Sequence, residues 1–179
     1  MKLTFWGVRG SIPTPLAAEA LRRRIVAVLM RAKPADLASL ETREAFLAGL
    51  PPYLFGTIGG NTTCLSVHTA SGGLIILDAG SGIRELAASL ARSQDPTREF
   101  HILFTHFHWD HLQGLPFFAP AGYLPRNRLH FYSTLADLRQ ILEGQMRPPY
   151  FPVGMDAMAA EKRYHRLGSP PLEICGVQV

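Results

Sequence analysis

Cysteine is scarce in this chain of 179 residues: only Cys64 and Cys175 occur, both in apolar stretches that resemble strands. Two buried, reduced thiols are expected, which excludes a small secreted domain held together by disulfides. The N-terminal residues from Met1 to Gly7 lack the apolar run of a signal peptide. No stretch approaches the ~18 consecutive apolar residues of a membrane span. A soluble, cytoplasmic protein without membrane contact is therefore expected.

Acidic residues are also in the minority, with 14 against 18 basic ones and a net charge of +4. Arg22, Arg23 and Arg24 form the densest basic run, but they lack the interleaved aromatic residues that are typical of nucleic-acid footprints. A solvated helix face is the preferred interpretation of this run. The small excess of basic residues is compatible with a small anionic substrate, and a nucleic acid is the less favoured partner. The preference for arginine over lysine, together with abundant alanine, indicates a GC-rich bacterial genome.

Internal repeats and low-complexity tracts are absent, and 47% of the residues are hydrophobic, as in one packed domain or a large part of one. Alternating or continuously apolar segments bounded by turn residues predict strands, at 3–8, 64–69, 74–78, 101–105, 129–132, 162–167 and 172–179. Apolar residues at helical spacing predict helices, at 21–29, 34–49, 83–90 and 134–142. Strands that alternate with helices indicate an α/β fold.

Two of the predicted helices form a helical hairpin inserted between strands, at about residues 16–52. In the first, Leu21, Ile25 and Leu29 share a face, with arginines on the other. The second begins near Pro34, a favourable first-turn residue. Farther along, Thr134 and Asp137 have the spacing of a capping box and predict the start of the last helix.

The most informative segment follows the predicted strand at 101–105 and reads Thr105-His106-Phe107-His108-Trp109-Asp110-His111. Imidazole and carboxylate groups are ligands for zinc, iron or manganese. Alternate side chains such as His106 and His108 can point to the same side of the chain where the strand ends. Asp110 and His111 lie farther round the turn. The spacing therefore predicts two ligands for each of two adjacent metal ions, and a chance cluster is the rejected alternative.

This His-x-His-x-Asp-His pattern after a buried strand resembles the signature of the metallo-β-lactamase superfamily, whose fold is a four-layer αββα sandwich. Other segments resemble its bacterial phosphodiesterase and ribonuclease Z-like branch, at 5–13, 59–64, 77–82 and 114–118. The resemblance implies a mixed sheet with covering helices, to which the helical hairpin is an insertion.

The resemblance also implies the cofactors and the catalytic role of the turn. His106 and His108 would hold the first of two divalent metal ions, and Asp110 and His111 the second. Zinc is expected, with iron or manganese as alternatives. A hydroxide that bridges the ions would be the nucleophile. Asp110 would also be the catalytic proton acceptor.

Three further residues are candidates near the site. Asp78 matches an aspartate of the family that accepts hydrogen bonds from the metal loop, and capping of the following helix is an equally weighted, compatible alternative. Asn61 would hold the glycine-rich loop near the site or be an ordinary turn residue. Arg9 would bind a phosphate, although a surface or structural ion pair is the preferred interpretation. The other histidines match no ligand position: His68, His101, His130 and His165.

The chain departs from the family pattern after His111. The family uses a third histidine for the first metal, an aspartate that bridges both metals and a last histidine, all from the second half of the sandwich. His130 and His165 do not lie in that context. Residues 1–179 are therefore expected to be the N-terminal part of one domain, catalytically incomplete alone, and to form a homo-oligomer or pair with the missing half.

The expected function is metal-dependent hydrolysis of a phosphodiester, such as a cyclic nucleotide or a nucleic-acid end. A second hypothesis is a truncated, non-catalytic fragment or interaction half. A third is a hydrolase of a lactone, a thioester or a β-lactam.

Overall fold

The computed structural model describes residues 1–56 and 58–179. Its strands are β1 to β8 in chain order, at Lys2–Gly7, Cys64–His68, Leu74–Leu77, Glu99–Leu103, Arg128–Ser133, Glu161–Arg166, Glu173–Ile174 and Val177–Gln178. Its α-helices are α1 to α5, at Ala18–Leu29, Leu40–Ala48, Ile83–Arg92, Trp109–Leu112 and Leu138–Gln145. No described helix is long and apolar enough to cross a membrane.

Strands β1 to β6 form one sheet in sequential order. The first two pairings are antiparallel, and the pairings from β3 to β6 are parallel. Helices α3 and α5 cover one face of the sheet, where Leu86, Ile102, Phe131 and Leu142 are fully buried. The prediction of an α/β fold with a mixed sheet and covering helices is confirmed. One helix layer on one sheet corresponds to two of the four layers of an αββα sandwich.

The opposite face of the sheet contacts the small β7–β8 hairpin through a second apolar cluster that contains Ile75, Leu103, Tyr132 and Ile174. The prediction of one strand over 172–179 is wrong. The chain reverses at Cys175 and Gly176, whose φ angles are 52° and 75°. Two successive residues with positive φ make the tight turn that joins antiparallel strands, so the segment forms a hairpin.

The inserted hairpin contains the two expected helices, but its packing differs from the prediction. Neither α1 nor α2 has a buried residue. The apolar stripe of α1 faces outward, with Leu21, Ile25 and Leu29 between 50% and 63% exposed. The second predicted helix is divided into a 3₁₀ turn at Pro34–Leu37 and α2, because the Ser39 hydroxyl accepts a hydrogen bond from the Thr42 amide and begins a new helix.

The last helix also begins later than predicted. Helix α5 starts at Leu138 without a side-chain cap, so the predicted capping box of Thr134 and Asp137 does not form. The Ser133 hydroxyl instead accepts a hydrogen bond from the Leu135 amide at 3.1 Å. This turn at the end of β5 holds the backbone outside the helix and leaves Leu135 51% exposed.

Candidate metal-binding turn and its surroundings

The His106–His111 segment, called the histidine turn below, lies at the carboxyl edge of the parallel strands. Strand β4 ends at Leu103, which pairs with Leu77 at the end of β3. The chain is extended at His108 and then enters α4. Because parallel strands end at the same edge, Asp78, directly after β3, and the histidine turn, after β4, lie side by side.

The three imidazole rings of the turn are in contact. The ring centroids of His106 and His111 are 3.9 Å apart, and those of His106 and His108 are 4.6 Å apart. The Nε2 atom of His111 lies 3.6 Å from Oδ2 of Asp110. His108 is exposed, His106 and His111 are partly buried, and Asp110 is buried. The structure thus brings together the four residues predicted as ligands.

The carboxyl group of Asp78 joins β3 to the histidine turn. Its Oδ1 accepts a hydrogen bond from the Thr105 amide, and its Oδ2 accepts from the Thr105 hydroxyl and from Nδ1 of His111, all at 2.8 Å. Asp78 is 2% exposed, and its φ is 60°. A backbone conformation that is rare for a non-glycine residue thus places a buried carboxyl group under the turn. Helix α3 begins after Gly82 without a side-chain cap, so Asp78 does not cap it.

These hydrogen bonds place a proton on Nδ1 of two of the imidazoles. Because a carboxylate only accepts, Nδ1 of His111 must donate to Asp78. The Thr105 hydroxyl donates its one proton to Asp78. Its oxygen therefore accepts a hydrogen bond from Nδ1 of His106, which lies 3.1 Å away. Neutral imidazoles of this tautomer have a free lone pair on Nε2. This arrangement, direct at His111 and through Thr105 at His106, would leave Nε2 of both neutral rings available to a metal ion.

Two glycines allow the loop after β3 to approach the histidine turn. The amide of Ala79 donates to the carbonyl of His111 at 2.7 Å, and the amide of Gly114 donates to the carbonyl of Ala79 at 2.9 Å. A Cβ atom at Gly114 would collide with the Gly80 carbonyl, and one at Gly80 would collide with the Asp110 carbonyl. Side chains at either position would separate Asp78 from the turn.

Asp110 is held by the loop that follows β1. The backbone amide of Ser11, a residue with a φ of 70°, donates a hydrogen bond to Oδ2 of Asp110 at 2.8 Å. This hydrogen bond, more than the nearby imidazoles of His111 and His108, lowers the pKa of the Asp110 carboxyl group. An ionised carboxylate is the form that ligates a cation. The sequence did not identify Ser11 as a neighbour of the turn, because the contact is made by its amide and depends on the fold.

The donor set of the turn fits a divalent metal in type: two prepared imidazoles, a third imidazole and an ionised carboxylate. It does not form a closed site. Within residues 1–56 and 58–179, no three His, Cys, Asp or Glu side chains are arranged to hold one metal ion. The fit therefore rests on the chemistry and proximity of the donors.

Asn61 and Arg9 lie together but do not reach the histidine turn. The Asn61 carbonyl accepts hydrogen bonds from the amides of Val8 and Arg9, and its side-chain Oδ1 accepts from the Ser81 hydroxyl at 3.1 Å. Asn61 thus ties the loop that contains Gly59 and Gly60 to the segment after β1 and to the loop before α3. The Arg9 guanidinium donates to the Thr14 hydroxyl at 3.1 Å and forms no described ion pair.

Three histidines outside the turn form an unexpected cluster on the sheet face opposite α3. His101, His130 and His165 lie on β4, β5 and β6, with ring stacking from His101 to His130 and from His130 to His165. Nδ1 of His130 lies 3.1 Å from Nε2 of His165, and the Tyr132 hydroxyl lies 2.9 Å from Nδ1 of His101. Burial, followed by the neighbouring imidazoles, lowers the pKa of His130 to about 4. The pairing register creates this cluster, and it does not supply ligands to the turn.

Both cysteines are free thiols. Cys64 is fully buried, and burial raises its pKa far above the ordinary value. Cys175 lies in the β7–β8 turn and is partly exposed, in contrast to the predicted burial in a strand. The prediction of reduced thiols without a disulfide agrees with this arrangement.

Comparison with known proteins places the histidine turn within a family match. Residues 57–126 match the family model described as the metallo-beta-lactamase superfamily. The range includes Asn61, Asp78 and the complete turn, and excludes Arg9 and both helices of the insertion. No match was found among curated proteins.

A solved structure with partial similarity is that of Zn²⁺-bound PqqB from Methylobacterium extorquens. The sequence identity is 20% and the TM-score is 0.40. The similarity covers 60% of this chain and 37% of the PqqB chain, so the chain spans little more than a third of that protein's length.

Proposed function

From the match of residues 57–126 to the metallo-beta-lactamase superfamily, we propose that this chain is a metal-dependent hydrolase of phosphodiesters. The observation that carries the proposal is the arrangement under the turn, where Asp78 contacts Nδ1 of His111 and, through the Thr105 hydroxyl, Nδ1 of His106. In the neutral tautomer with a proton on Nδ1, both rings would offer an Nε2 lone pair to a metal ion.

The residues that would hold divalent metal are His106, His108, Asp110 and His111. Bound metal would supply Lewis acidity toward phosphoryl oxygens and lower the pKa of water. The chain's own contribution is to fix the donor atoms before metal arrives. Asp78 and Thr105 orient two imidazoles, and the Ser11 amide keeps the Asp110 carboxylate ionised.

The lowered pKa of Asp110 also bears on its predicted catalytic role. A carboxylate with a lowered pKa is a weaker base, so proton acceptance is less favourable for Asp110 than ligation. We propose ligation as its first role. Removing the Ser11 hydrogen bond would raise the basicity of Asp110 and weaken its hold on a cation at the same time.

A phosphodiester is preferred over the alternative substrates because the chain as a whole carries a net positive charge. The net charge of the chain is +4, and the loop that reaches Asp110 also contains Arg9. A positive surface raises the local concentration of an anionic substrate. A lactone, a thioester or a β-lactam gains less from this charge.

The experiment compares hydrolysis of bis-p-nitrophenyl phosphate, nitrocefin and a homoserine lactone by protein supplied with zinc, iron or manganese. Of the three substrates, the phosphodiester should be hydrolysed fastest with at least one metal, at a low rate because the donor set among the described residues is not closed. The Asp110→Asn variant should lose this activity, whereas Asp137→Asn, an exposed aspartate at the start of α5, should retain it. Faster turnover of nitrocefin or the lactone would replace the proposed substrate class. If Asp110→Asn hydrolyses the phosphodiester as fast as wild-type protein, the histidine turn does not take part in the reaction.

A further inference from the structure

A cavity of about 660 Å³ lies between the loop after β1, helix α1 and the start of α3. This volume is in the range of small-molecule sites. Three arginines line it, Arg9, Arg24 and Arg84, together with one carboxylate, Glu85. The other lining residues are uncharged. The cavity, called the arginine cavity below, is therefore positively charged.

The three guanidinium groups retain hydrogen-bonding capacity. Arg9 uses one N–H group on the Thr14 hydroxyl, and Arg24 uses one on the Gly56 carbonyl at 2.7 Å. Arg84 lies 3.5 Å from Glu85 in a solvent-exposed pair, which holds it weakly. A guanidinium has five N–H donors, so each group keeps donors for a ligand in the described structure. Forked guanidinium donors match phosphate oxygens.

The inserted hairpin forms one wall of this cavity. Ala17, Ala20 and Arg24 all line it, at the spacing of one helix face. The two alanines leave space, and Arg24 is anchored to Gly56 beyond the hairpin. The inner face of α1 therefore lines the cavity, whereas the apolar stripe of the helix is exposed.

The arginine cavity and the histidine turn share one loop. Arg9 lines the cavity, and the amide of Ser11, two residues later, donates to Asp110. Farther along, the Thr14 amide donates to the Gly60 carbonyl at 2.7 Å, which fixes the loop against the cavity floor. A substrate that reaches from the turn along this loop would enter the cavity.

We propose that the arginine cavity binds a phosphate group of the substrate that is remote from the bond being cleaved, through Arg9, Arg24 and Arg84. The proposal rests on the proposed function, since it specifies a substrate with an additional phosphate. It gives the insertion a role in substrate selection. Arg84 also gains a role that the sequence did not indicate.

The test uses the full chain after removal of metal with a chelator, so that binding does not depend on the histidine turn. Inorganic pyrophosphate is titrated by calorimetry at low ionic strength into wild-type protein and into Arg9→Gln, Arg84→Gln and Arg92→Gln. Arg92 is the matched control, because it is an exposed arginine of α3 that does not line the cavity. Circular dichroism confirms that each variant is folded.

Pyrophosphate should bind wild-type protein, with affinity about tenfold weaker in Arg9→Gln and in Arg84→Gln, as expected for loss of one charged hydrogen-bond donor. Binding to Arg92→Gln should stay within about twofold of wild type, a change too small for a lost direct contact. Absence of binding to wild-type protein would overturn the proposal. Equal affinity in all three variants would also overturn it.

Two combined outcomes separate this proposal from the proposed function. Pyrophosphate binding that depends on Arg9 and Arg84, without hydrolysis of any phosphodiester, supports the cavity and contradicts the phosphodiesterase activity. Hydrolysis of a phosphodiester without such pyrophosphate binding supports the phosphodiesterase activity and contradicts the role of the cavity. In an active protein, Arg9→Gln should raise KM for a phosphate-bearing diester more than it lowers kcat, and the opposite pattern would contradict a binding role.

Discussion

Asp78 accepts a hydrogen bond from Nδ1 of His111 at 2.8 Å, across 33 residues of sequence. With its two hydrogen bonds from Thr105, this contact makes one buried carboxyl group the organiser of the histidine turn. The arrangement is possible because β3 and β4 are parallel neighbours that end at the same edge.

The first prediction follows from this contact. In Asp78→Asn, an NH₂ donor replaces one of the two acceptor oxygens, so the side chain can no longer accept all three hydrogen bonds from Thr105 and His111, and the His111 ring is held less firmly. Zinc affinity should fall by about 10- to 100-fold, as for other partners of metal-bound histidine. Competition with a chromogenic chelator measures it. Asp137→Asn is the control at an exposed aspartate, and an affinity equal to wild type in Asp78→Asn would contradict the role of Asp78.

A second prediction concerns metal content. Replacement of both His106 and His108 by alanine should lower the zinc, iron or manganese bound per chain to background, because it removes two of the four donors in the turn. Elemental analysis after desalting measures the metal per chain. The matched control replaces His101 and His165, which lie on the sheet face outside the turn. Loss of metal in the control and retention in the first variant would transfer the site to the other histidines.

The sequence was sufficient to propose all four donors of the histidine turn because they lie within six consecutive residues. It was insufficient for Ser11, which contacts Asp110 from 99 positions away through a backbone amide. An amide has no residue-specific signal, so only the fold can reveal the contact. The cluster of His101, His130 and His165 likewise depends on the parallel register that aligns three strands.

The fold shows the same division between local and long-range information. Helical periodicity predicted α1, but the pattern cannot state what covers the apolar side, and Leu21, Ile25 and Leu29 face outward. Strand-like composition over 172–179 concealed the turn at Cys175 and Gly176, because a cysteine with positive φ is unusual. Predictions were correct where pattern and pairing agreed, as at β3 and β4.

A third prediction is that stability declines in acid through His130. Burial and neighbouring imidazoles lower its pKa from 6.5 to about 4, so the unfolded chain takes up the proton first as pH falls. The Glu99 carboxylate acts in the opposite direction and raises the pKa of His130, whereas the Arg163 guanidinium lowers this pKa further. This contribution is complete above pH ~6.5 and is lost progressively toward pH ~4.

The expected loss from this residue is about 2 kcal/mol between pH 7.5 and pH 5. Urea unfolding at both pH values measures it in wild-type protein and in His130→Gln. Other groups titrate in both proteins, so the informative quantity is the difference between their pH dependences. If His130→Gln loses as much stability as wild type, the cluster does not cause the acid sensitivity.

The last prediction contrasts the sheet core with the inserted hairpin. Leu86 of α3 is fully buried, and its replacement by alanine removes apolar contacts and leaves a cavity, which should lower the free energy of unfolding by about 2–5 kcal/mol. Ile25 of α1 is 52% exposed, and Ile25→Ala replaces a β-branched residue by the best helix former. Its effect should stay within about 0.5 kcal/mol. Urea unfolding monitored by circular dichroism compares the two variants with wild type. A loss of more than about 2 kcal/mol in Ile25→Ala would mean that the outer face of α1 is covered in solution, since an exposed side chain has no packing of that size to lose.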